Sequence, residues 1–85
     1  MQNLDEDIFQ IPDTAIAAWL KISGIVHLDT DTSEFPANFN FANPKDGSIG
    51  NLLAAWEENR PIGNVKSFYK TYRSLVREAK KAEPD

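Results

Sequence analysis

The spacing of hydrophobic residues changes repeatedly along this chain, and each change marks an element. Asp7 to Ile11 is short and apolar before Pro12, which predicts a brief first strand. Pro12-Asp13 then opens a helix. The Asp13 side chain can cap the free amides of the first turn, Ala15, Ile16, Trp19 and Leu20 recur at helical spacing, and Gly24 supplies a left-handed stop, so the helix runs over about 14–22. Beyond Gly24 the period becomes two. Val26 and Leu28 alternate with His27, Asp29 to Ser33 reads as a polar turn, and Phe35, Ala37, Phe39 and Phe41 alternate with Pro36, Asn38, Asn40 and Ala42. Only a strand puts residues two apart on one face, so three phenylalanines should enter the core together. Pro36 donates no ladder hydrogen bond and belongs at an edge or at the strand's start. These segments predict a β-hairpin.

Asn43 to Gly47 is a loop, after which Ser48 is the expected N-cap of a helix whose stripe of Ile49, Leu52, Leu53 and Trp56 continues until Pro61. Gly63-Asn64 supplies the turn and cap for the last helix. There Val65, Phe68, Tyr69, Tyr72, Leu75, Val76 and Ala79 fall on one apolar face at about 100° per residue. The order is β-α-β-β-α-α. An isolated hairpin is marginal in water, so the fold class predicted is α+β: a small antiparallel sheet with three helices packed on one face. The chain of 85 residues makes a single domain, 1–85, with an ordered body over about 7–81. No internal repeat is present.

Composition narrows the class. With 41% hydrophobic and 26% charged residues the chain has enough apolar material for a core, and with no cysteine that core folds without disulfides or thiolate chemistry. The acidic start is not that of a signal peptide, and no stretch approaches the roughly 18–20 apolar residues that span a bilayer, so a cytoplasmic protein without membrane contact is expected. The net charge of −4 conceals a polarity: residues 1–59 carry two bases against ten acids, whereas residues 60–85 carry seven bases against three acids. An acidic body joined to a basic tail implies internal neutralisation or a charged partner.

Candidate chemistry is sparse. His27 would share a strand face with Asp29, an orientation that suits a general base, but no nucleophile accompanies it. One histidine among turn carboxylates lacks zinc spacing. Asp29 to Ser33 looks like the start of a calcium loop, yet the positions that need Gly and Glu hold Glu34 and Asn40. Gly47 to Gly50 precedes a helix start without the lysine or glycine pattern of a phosphate loop. No catalytic residue, metal, cofactor or small-molecule substrate is therefore expected.

The sharpest feature lies on the last helix. Lys66, Lys70, Arg73, Arg77, Lys80 and Lys81 occupy one arc beside the apolar face, while Ser67, Thr71, Ser74 and Glu78 fill the remaining side and Tyr69 and Tyr72 point toward the core. Like charges at these spacings oppose helix formation, so something should offset them. The acidic body of the same chain would neutralise the stripe; nucleic-acid phosphate would also do so. Conversely, Asp5, Glu6, Asp7, Asp13, Asp29, Asp31 and Glu34 could form an acidic surface for a basic groove on another protein.

Ile8-Phe9, Ala17-Ala18-Trp19-Leu20 with Gly24, Phe39-Asn-Phe41, Trp56 and the Tyr72-Arg73-Ser74-Leu75 helix resemble a family of short uncharacterised bacterial and phage proteins, over roughly residues 8–77. The polar end of the first hairpin strand departs from that pattern. The resemblance implies the fold and a mobile-element setting, and it assigns no site residues. The expected function is a non-enzymatic interaction module, an accessory protein of a phage or other mobile element. It would bind a protein partner or itself, with Trp19, Trp56 or Tyr69 as a possible dimer seam if left exposed together. The alternative is nucleic-acid binding through the basic stripe.

Overall fold

In the computed structural model, which describes residues 7–59 and 63–83, the chain runs β1 (Ile8–Ile11), α1 (Thr14–Ile22), β2 (His27–Asp31), β3 (Asn38–Ala42), α2 (Ser48–Glu57) and α3 (Val65–Ala79). A single 3₁₀ turn, Lys80–Ala82, extends α3. The order is β-α-β-β-α-α, an α+β fold. The sheet is antiparallel with strand order β1-β3-β2, so the Phe39-Asn-Phe41 strand lies in the centre.

Alternation on β3 decides which way the sheet faces. Phe39 and Phe41 are fully buried, and Phe9, which pairs with Phe41 from β1, is nearly so. Each such ring taken out of water stabilises the fold by about 1.5–3 kcal/mol. The helices supply the opposite wall: Ala17, Ala18 and Leu20 from α1, Ile49 from α2 and Leu75 from α3 join the same buried cluster. The closest partner of α1 is α3, which packs along it.

Local signals set the helix ends. The Asp13 carboxylate accepts from the Ile16 amide at 3.0 Å, and the Asn64 side chain accepts from the Ser67 amide at 2.9 Å, the N-caps of α1 and α3. At the end of α1, Gly24 takes a left-handed φ of 99°. Its amide then reaches the Lys21 carbonyl and the Ile25 amide reaches that of Leu20.

Several expectations are corrected. Phe35 is 60% exposed and precedes a cis proline; β3 begins only at Asn38, so two phenylalanines of this segment enter the core and Ala37 takes the third inward position. Asp29 to Asp31 belong to β2, and the turn follows them. A bulge between His27 and Asp29 breaks the alternation, which leaves Val26 and Leu28 exposed and puts His27 inward, its ring 5.3 Å from that of Phe41. Ser48 is the first residue of α2 and Gly47, at a left-handed φ of 86°, is the cap; the Ser48 hydroxyl and amide turn back to Asp46. The stop expected at Pro61 lies outside the described residues.

Candidate functional site

The site is built on α3, and its orientation follows from two anchors. Near the helix start, Phe68 joins a run of tilted and stacked rings, Trp19, Trp56, Phe68 and Tyr72, with successive centroids 6.2 Å apart, and the Trp19 indole N–H donates to the Leu52 carbonyl at 2.9 Å. Offset and tilted rings at this distance attract each other beyond their burial. This run ties α1, α2 and α3 together, so the two tryptophans are half-buried against each other and do not form an exposed seam with Tyr69. Toward the other end, Thr30 donates its hydroxyl to the Glu78 carboxylate at 2.9 Å, and because that proton is committed, His27 Nε2 donates to Thr30 at 3.1 Å.

These anchors roll α3 away from the face that hydrophobicity alone suggests. Thr71, Ser74 and Glu78 become half-buried, and Val65 and Tyr69 turn to solvent, 69% and 59% exposed. Tyr72 stays half-buried as expected; Tyr69 does not. Its ring stands within the cationic arc, with the Arg73 guanidinium carbon 5.6 Å from its centroid.

All six cations, Lys66, Lys70, Arg73, Arg77, Lys80 and Lys81, are exposed along this flank. Lys66, Tyr69, Lys70, Arg73 and Arg77 border a concavity of about 280 Å³. Among the described residues none of the six makes a salt bridge, and the ion pair present joins Lys45 to Asp7. Among the described residues the acidic body supplies no ion-pair partner to this flank. Several carboxylates are engaged elsewhere, by a near neighbour, a strand partner or, for Glu78, a residue of β2. Asp29 accepts from the Asn40 amide at 2.7 Å, Asp31 from the Ser33 amide and hydroxyl, Asp46 from Ser48, and Glu78 from Thr30. These donors leave a mark on proton affinity. Ser33 holds Asp31 below the usual carboxylate range, Ser48 does the same to Asp46, and Lys45 to Asp7.

Like charges three or four residues apart cost about 0.2–0.5 kcal/mol per pair. Lys66/Lys70, Lys70/Arg73, Arg73/Arg77 and Arg77/Lys81 all stand at that spacing. The helix dipole eases this cost for Arg77, Lys80 and Lys81 in the last turns, but among the described residues no ion pair offsets it.

Other candidates are dispersed. The bulge places His27 against the core rings and Asp29 on the sheet's outer face, so the two do not converge. Among the described residues no three His, Cys, Asp or Glu side chains gather as a metal site would require, and no helix is long and apolar enough to cross a membrane. Comparison with known proteins supplies no neighbour: no family model, no curated protein and no solved structure matches the chain.

Position on a helical wheel identified the six cations. It missed Tyr69, because the roll of α3 depends on Thr30 and Trp56, which are distant in sequence.

Proposed function

We propose that this chain is a small non-enzymatic interaction module, acting in the cytoplasm, that holds nucleic acid through the cationic flank of α3. One observation carries the reading: six exposed cations on one flank, none with a carboxylate partner among the described residues. Phosphates laid along the helix would provide the missing counter-charge. Binding would release condensed counterions, the main driving force for such contacts. The acidic remainder of the molecule would repel the polymer everywhere else and confine contact to α3. An accessory role in a phage or mobile element rests on the resemblance alone.

A second reading, a protein partner or another copy of the chain, is favoured by a different surface. On the sheet's outer face Ile8 pairs with Ala42, whose amide bonds the Val26 carbonyl at 2.9 Å, so exposed Ile8 and Val26 stand on either side of Ala42. Exposed apolar groups that adjoin one another suit a protein interface.

Titration of a labelled oligonucleotide at two salt concentrations tests the first reading. Affinity should fall as salt rises, and Lys70→Ala with Arg73→Ala should lower the log–log slope by about 2. Absence of binding at low salt would remove nucleic acid as the partner, and association seen by light scattering would then favour the second.

A further inference from the structure

The cationic flank carries an aromatic ring that the core does not use. We propose that Tyr69, with Arg73 beside it, is a platform for an unpaired nucleobase, so that the polymer held by α3 is single-stranded; this rests on the nucleic-acid reading above.

Tyr69 could have entered the core with Phe68 and Tyr72, its neighbours in sequence and on the wheel. The roll of α3 puts it instead among the cations, 59% exposed. Arg73 lies over the ring, its guanidinium carbon 5.6 Å from the centroid. Both border the concavity with Lys66, Lys70 and Arg77, and its 280 Å³ is close to the lower end of small-molecule site volumes, about 300 Å³. The site therefore has room for one base and charge for the phosphates on either side of it. From Lys66 to Arg77 the helix rises about 16 Å, which is about five nucleotides at the 3.4 Å spacing of a stacked strand.

Single-stranded binders combine these two parts, a cationic track for the backbone and an aromatic face for bases, and stacking tolerates any sequence because every base has a π-face. A duplex hides those faces and offers base edges in its grooves, which a projecting helix reads. Here α3 lies packed along α1 and presents only a flank, a shape that suits a strand laid along it. An acidic protein or an anionic lipid surface would use the charges but gain little from a ring that stacks.

The test compares a labelled ten-nucleotide thymidine strand, the corresponding duplex, an abasic strand of the same phosphate count, an acidic peptide and phosphatidylserine vesicles at low salt. The thymidine strand should bind most tightly. Tyr69→Ala should weaken it by about tenfold to a hundredfold while the abasic strand is unaffected, and Tyr69→Phe should restore binding. Since the ring is exposed, circular dichroism of Tyr69→Ala should match the parent. Equal affinity for the thymidine and abasic strands, or no effect of Tyr69→Ala, would overturn the platform and leave phosphate binding standing. Preference for duplex, peptide or vesicles would overturn it as well. No binding to any of these polyanions would overturn both the platform and the reading beneath it.

Discussion

The outer face of the sheet, beside its exposed Ile8 and Val26, and the outer flank of α3 both carry polar groups, and these are organised in opposite ways. On the sheet, Gln10 donates to Asn40 at 2.9 Å and Asn40 donates to Asp29 at 2.7 Å, a ladder that crosses all three strands. Asp31 beside it is held by Ser33. The polar groups of that ladder answer one another. On α3 the charges repeat with a single sign, and among the described residues no partner for them comes from the fold. A surface whose groups are already paired gains little from a new contact; one whose groups repel gains from any matching charge. That difference, more than net charge, singles out α3 on a molecule that is acidic overall.

The contrast can be broken at its foundation first. Phe41 lies under the ladder and is fully buried. Phe41→Ala should cost about 3–5 kcal/mol, a large share of the 5–15 kcal/mol typical of a whole domain. Urea denaturation would show it as a midpoint shifted far down, with sheet and helix signals lost together because both layers share one core. A milder change separates the layers. Asn64→Ala removes the cap of α3 and should cost about 1 kcal/mol. Hydrogen exchange should then show faster opening at Ser67 and Phe68, with protection of β3 reduced only to the extent that global stability falls.

Much of this architecture was legible in the sequence where neighbours along the chain decide the outcome. Asp13 and Asn64 cap the helices that their positions suggest, Gly24 stops α1, and Phe39-Asn-Phe41 forms the central strand because alternation leaves no other way to bury both rings. Legibility failed where a distant residue decides. Phe35 continues the alternation in sequence, but β3 starts after the turn that contains Pro36, so the ring stays outside. Nothing local announces the bulge at Leu28, which moves His27 inward and separates it from Asp29. The face of α3 was read from hydrophobicity, whereas its roll is set by Thr30 holding Glu78 and by Trp56 packing on Phe68. Of the candidate site, the six cations follow from periodicity. The exposed ring among them required the tertiary contacts.

The central claim is that, among the described residues, no carboxylate pairs with the cations of α3, and the stability of Lys70→Glu at low salt tests it most directly. Lys70 faces Lys66 and Arg73 at helical spacing. Reversing its charge turns two repulsions into attractions, so chemical denaturation should show the variant more stable than the parent by a few tenths of a kcal/mol up to about 1 kcal/mol. A variant less stable by about 1 kcal/mol or more would mean that Lys70 already has an anionic partner within the folded chain, which would contradict the account.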